Sequence, residues 1–171
     1  AEVVSREILN TEARIPRAQA SCEAGARGET QRGGERMEEN DISKVILDAA
    51  ITVHKILGGP GMLESVYRDS LMQELKLRGL KAEKEVWVPV EYKGVKVGDP
   101  LRIDILVEDR VVVECKATEK DNPIFAAQTL TYLRLMKLHL GLLINFGKET
   151  LVGGYQRIVN GYTTTSVYRK R

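Results

Sequence analysis

The sequence is poor in residues that staple or ligate. Of its 171 residues two are cysteine, Cys22 and Cys115, and two are histidine, His54 and His139. None of these has a Cys or His neighbour at the short spacing of a zinc site, so no zinc centre is expected. Cys22 falls in a polar tail and Cys115 in an apolar run. A disulfide between them is therefore not expected, which fits a reducing cytoplasm. No apolar run approaches the roughly 18 residues of a membrane span, and no charged-then-apolar leader opens the chain. The 26 Lys and Arg against 24 Asp and Glu leave a formal charge of +2. That balance neither demands nor forbids a nucleic-acid partner, because local patches matter more than the sum. Dense Lys/Arg runs are missing too; lysines such as Lys81, Lys84, Lys93, Lys96 and Lys120 are scattered. Internal repeats are absent.

Residues 1–36 contain no aromatic residue and no lysine. Such a segment cannot bury enough apolar area to offset its ordering entropy. It is expected to be a disordered extension, with the natural start at Met37. Residues 37–171 are expected to form one domain, a length sufficient for a proper core.

In that region Ile42, Val45, Ile46, Ala49, Ala50 and Val53 recur at helical spacing after a cap at Asn40 or Asp41. The run Gly58-Gly59-Pro60-Gly61 ends this helix. It joins two helices and is not followed by Lys-Ser/Thr, so it is no phosphate-binding P-loop. A second helix is read over about 62–78, with Leu63, Val66, Leu71 and Leu75 facing the core and Gly79 as the stop. The period then changes to two, and Pro89 marks an edge strand. Two apolar runs follow, Leu101–Glu108 and Arg110–Thr118, then a helix opened by Pro123 and a strand at 140–146. A last strand is read over 155–159. The order gives an α/β (α+β) class, a mixed sheet flanked by helices.

The charges inside the two apolar runs carry the chemistry. Asp104 lies in the first, and Glu114 and Lys116 lie in the second, two apart and so on one face. Charges in buried strands are costly unless paired or bound to a metal. If the runs pair as a hairpin, Asp104 stands beside Glu114, a carboxylate pair suited to Mg²⁺ with an ammonium at hand. Taken alone, Glu-x-Lys reads first as an ion pair at a strand end or a solvated face of an edge strand; Asp104 on a second apolar strand brings the two readings level. Glu64 and Tyr67 share a helix face three residues apart, and Gln128 and Tyr132 share another at four. Each has a plain reading as well: a first-turn glutamate, a packing tyrosine, a surface glutamine. Lys120 follows the Glu-x-Lys strand closely enough to meet a phosphate.

Together these residues resemble the Asp…Glu-x-Lys signature of the PD-(D/E)xK nuclease superfamily, whose core order is αβββαβ. Gln128-x-x-x-Tyr132 resembles the motif of its RecB-like and exonuclease-like branches. Gly61-x-x-Glu64-x-x-Tyr67 resembles the signature of the GxxExxY proteins, a prokaryotic group of that superfamily. The resemblance spans about residues 41–161; it departs from the superfamily's name in that Ile103, not proline, precedes Asp104. It implies a Mg²⁺ (or Mn²⁺)-dependent nuclease acting on DNA ahead of RNA. Asp104, Glu114, Glu64 and the backbone carbonyl of Cys115 would hold the metal, and Lys116 would orient water or steady phosphorane charge. Gln128, Tyr132, Tyr67 and Lys120 would support the site or touch substrate. It leaves open a homodimer, and equally a catalytically silent module that binds nucleic acid or a partner.

Overall fold

The computed structural model describes residues 37–161. The expectation of a disordered extension over residues 1–36, and Cys22 with it, lies outside the described residues.

Helix α1 (Glu39–Ile56) and helix α2 (Glu64–Leu77) come first. Strand β1 (Ala82–Val88) follows, then a two-stranded ribbon, β2 (Glu91–Tyr92) and β3 (Val95–Lys96). Strands β4 (Leu101–Val107) and β5 (Val111–Lys116) lead into helix α3 (Pro123–Met136), strand β6 (Leu140–Asn145), a 3₁₀ turn (Leu151–Gly154) and strand β7 (Tyr155–Val159). The sheet runs β1-β4-β5-β6-β7. Its one parallel contact is β5 with β6, in register from Val111↔Leu140 to Lys116↔Asn145. A parallel pair needs a crossover, and α3 provides it. β1 is an edge strand, as Pro89 requires, and ends just before that proline.

Two cores lie on opposite faces of the sheet. On one, Ile42, Ile46, Ala49, Tyr67, Leu71 and Leu75 of α1 and α2 pack on Ile105, Val113, Leu142 and Phe146. On the other, Tyr132 and Leu133 of α3 pack on Val88, Ile103, Val112 and Leu143. This explains why β5 and β6 are almost continuously apolar: both faces are covered.

The helix boundaries differ from the sequence reading in two places. The residue capping α1 is Glu38, with no side-chain cap bond, rather than Asn40 or Asp41. Both are otherwise engaged: Asn40 Oδ1 accepts from Arg157, and Asp41 pairs with Lys44 at 2.8 Å. The α2 helix begins at Glu64, so Leu63 and Val66, expected inside, are 74% and 38% exposed. The buried stripe is instead Tyr67, Leu71 and Leu75, each one turn from the next. Gly79 does stop α2: Gly79 N–H donates to Lys76 and Leu80 N–H to Leu75, the bond pair of a Schellman ending.

Candidate active site

The site forms where the sheet loses its regularity. The β4–β5 ladder stops at Ile105↔Val113, and the β1–β4 ladder pairs Lys84↔Ile105 and Val86↔Ile103 but skips the step between. That step holds Glu85, in left-handed backbone at φ 57°, opposite Asp104. The alternation of faces also breaks here: Ile105 belongs to the first core, yet Ile103 belongs to the second. Strand β4 thus pulls away from β5 at Asp104, leaving the end of β5 without a backbone partner on that side.

Asp104 fills the gap with its side chain. Its Oδ2 accepts the Cys115 N–H at 2.9 Å, replacing a ladder bond. In a strand a residue's N–H and C=O point to the same edge, so the Cys115 carbonyl faces this gap too, while its thiol is fully buried in the first core. Glu114 is 3% exposed. Its Oε1 accepts from Lys116 Nζ at 2.7 Å, and its Oε2 is buried with no hydrogen-bond partner. Burial first, and then the Asp104 charge, push the Glu114 carboxyl up to about 7, against the opposing pull of Lys116. Its proton is therefore held more tightly than an ordinary glutamate's.

Lys116 reaches three groups. Besides Glu114, its Nζ lies 3.7 Å from Glu64 Oε1 and 5.3 Å from the Phe125 ring centroid. Glu64 opens α2, and its carboxylate meets the lysine rather than the carboxylate pair. The carboxylates of Glu114 and Glu64 hold the Lys116 ammonium charged, outweighing its desolvation.

The motif Gly61-x-x-Glu64-x-x-Tyr67 has a clear local logic. At φ 124° Gly61 occupies backbone that only glycine adopts readily. The Tyr67 hydroxyl donates to Gly59 O at 2.7 Å and accepts from Met62 N–H at 3.1 Å, and its ring stacks on Phe146 with centroids 4.7 Å apart. Tyr67 is thus a strut beneath the loop that delivers Glu64. On α3, Gln128 donates to the Tyr132 hydroxyl at 2.5 Å. Burial, followed by the Glu114 charge, raises the Tyr132 phenol above its ordinary value, which puts that phenol in the field of the carboxylates. Lys120 is exposed on the β5–α3 loop and makes no ion pair among the described residues.

Arg68, Asn145 and Glu85 went unnoticed in the sequence. Arg68, one turn after Glu64, has an 11% exposed side chain and lies 3.7 Å from Asp104 and 3.3 Å from Glu85. The signal was its i,i+4 spacing from Glu64 on a helix already suspected. Asn145, 4% exposed at the end of β6, accepts from Thr118 N–H and Gly147 N–H and donates to Thr118 O at 2.8 Å. It anchors the segment that follows Lys116.

Among the described residues no three His, Cys, Asp or Glu side chains converge as a ready-made metal cage. A Mg²⁺ site asks for less, since one or two carboxylates with waters and phosphate oxygens suffice. Asp104 and Glu114 meet that demand: their donors are hard oxygens, and Glu114 Oε2 is an orphaned buried oxygen that a cation would satisfy. No described helix is long and apolar enough to cross a membrane.

No curated protein and no solved structure shows a significant match to this chain. A family model described as the PD-(D/E)XK nuclease superfamily matches residues 40–158, which takes in both helices before the sheet but the first residue of α1, all seven strands but the last residue of β7, and every candidate residue above. The chain belongs to the PD-(D/E)XK nuclease superfamily.

Proposed function

We propose that this protein is a divalent-metal-dependent nuclease that hydrolyses phosphodiester bonds, in DNA ahead of RNA. The observation that carries this reading is Glu114 Oε2: a buried, unpartnered carboxylate oxygen beside Asp104, with a lysine bonded to its sister oxygen. A carboxylate kept in that state is poised to take a cation rather than to stabilise the fold.

Asp104, Glu114 and the Cys115 carbonyl would hold Mg²⁺ or Mn²⁺. The bound ion would polarise a phosphoryl oxygen and lower the pKa of water. Lys116, positioned between Glu114 and Glu64, orients the attacking water and offsets charge on the phosphorane oxygens. Hydrolysis adds the water oxygen to phosphorus, breaks the bond to the leaving oxygen and transfers a proton to it. Gln128 fixes the Tyr132 hydroxyl, and the pair borders the carboxylates from the α3 side.

Incubation with single-stranded, duplex and branched DNA and with RNA, in Mg²⁺ or Mn²⁺, tests this. Cleavage should vanish in Asp104→Asn and Glu114→Gln, which should also lose Mn²⁺ by calorimetry. Lys116→Met should retain Mn²⁺ and lose turnover. Full Mn²⁺ affinity in both carboxylate variants would rule out the site. One observation favours the alternative of a silent binding module: the Arg68 guanidinium already neutralises Asp104. Salt-sensitive DNA binding without cleavage in either metal would select it.

A further inference from the structure

Beside Lys116, on the side away from Asp104, the structure carries a cleft of about 530 Å³. Its floor is Leu143 and Asn145 of β6, its walls are Phe125 and Ala126 of α3 and Gln156 of β7, and Asn122 stands at the mouth. Close approach at Gly154 shapes the far wall: a Cβ there would collide with the Asn145 carbonyl oxygen.

The cleft is neutral. Its one charged lining residue, Asp121, is paired with Lys148 at 3.0 Å. Asn145 is committed to Thr118 and Gly147. What remains is the Phe125 ring, Leu143, Tyr155, the Gln156 amide and the Asn122 NH2, whose sister Oδ1 caps α3 by accepting from Ile124 N–H. A phosphate would find no cation inside. A planar, uncharged group with hydrogen-bonding edges fits, and a volume of this order suits a small ligand.

The cleft borders the candidate site. Asn145 is the register partner of Lys116, and Phe125 forms a wall while its ring lies under the Lys116 ammonium. Neighbouring strands are about 5 Å apart. A group seated over β6 and β7 therefore stands about 5–10 Å from Glu114 on β5, the reach of one nucleotide along a strand. We propose that this cleft receives one unpaired nucleobase next to the phosphate held at Asp104 and Glu114, which makes the substrate class a single strand, overhang or flap. The inference rests on the nuclease reading. In a duplex the same base is stacked and paired, and seating it requires extrusion from the stack.

The test is fluorescence anisotropy with a single-stranded DNA decamer and a blunt hairpin duplex, in Ca²⁺ to hold back turnover. Wild-type protein should prefer the single strand at least tenfold. Ala126→Phe, which fills the cleft, should weaken single-strand binding about tenfold and leave the duplex unchanged. Gln156→Ala, at an exposed β7 position where folding is not at stake, should weaken the single strand about threefold. Equal affinity for both probes, with neither variant shifting the single strand, would overturn the cleft while leaving the nuclease reading intact. Failure of wild-type protein to bind or cut any nucleic acid would overturn that reading and the cleft with it.

Discussion

Arg68 Nη1 stands 3.7 Å from Asp104 Oδ1, and Arg68 Nε is buried without a hydrogen-bond partner. A guanidinium placed this way offsets the Asp104 charge and pairs with Glu85, while its Nε goes unsatisfied. On the nuclease reading it would compete with a divalent cation for Oδ1, the oxygen that does not bond Cys115. Unit charges about 4 Å apart interact by about 4 kcal/mol at an effective dielectric near 20. Losing a third of that is about tenfold in affinity. Arg68→Gln should accordingly bind Mn²⁺ about tenfold more tightly, whereas Arg68→Lys should stay near wild type. Calorimetric titration distinguishes them, and weaker Mn²⁺ binding in Arg68→Gln would assign the arginine a purely structural role.

Asp104 is a fold residue as well as a candidate ligand. Replacing it with alanine orphans the buried Cys115 N–H, at about 1–3 kcal/mol. Asn retains an acceptor oxygen of the same shape. Urea unfolding of the metal-free protein should show Asp104→Ala less stable than Asp104→Asn by that amount. Identical midpoints would mean that the bond contributes nothing net.

A folded-state pKa of about 7 for Glu114, against 4.5 for the ordinary carboxyl, fixes a pH window. Between these values the folded chain holds a proton that the unfolded chain has released, so stability falls as pH rises. The stabilisation is fully present below about 4.5 and lost on passing 7. Metal binding has the opposite slope, because the ion displaces that proton. Thermal melts of metal-free protein should decline from pH 5 to 8 relative to Glu114→Gln, and Mn²⁺ affinity should climb and level off above 7. A Mn²⁺ affinity flat from pH 5 to 8 would contradict a raised Glu114.

Tyr67→Phe preserves the stacking on Phe146 and removes two bonds to the loop before α2. At about 1 kcal/mol per net bond, the expected loss is about 1–2 kcal/mol in denaturant. Amide exchange at Met62 should quicken by more than tenfold. Unchanged exchange there would show that the hydroxyl does not hold the loop.

Periodicity made most of the architecture legible, since α1, α3, β5 and β6 each repeat one apolar pattern long enough to be unambiguous. Asp104, Glu114 and Lys116 stood out because charges in apolar strands are expensive. Arg68 was hidden because a helical arginine ordinarily faces water; only the break in β4 creates the buried acid it meets. Glu85 was hidden for the same reason, as nothing local announces a left-handed residue in an edge strand. Leu63 and Val66 misled because Leu63 stands at the N-cap, outside the helix, and Val66 lies about 100° around the axis from the Tyr67–Leu71–Leu75 stripe. Asn145 reads as the end of a strand until the segment after Lys116 folds back onto it.

The crossover through α3 has a consequence for how the chain could be divided. The exposed stretch Glu119–Asn122 lies between β5 and α3. A nick there would leave Glu64, Asp104, Glu114 and Lys116 on one fragment and Gln128, Tyr132 and the β6–β7 cleft on the other. Neither piece could complete the sheet, because β5 needs β6 as its parallel neighbour. On the nuclease reading the two halves should be inactive apart and regain cleavage only when brought together, which a fragment-complementation assay checks.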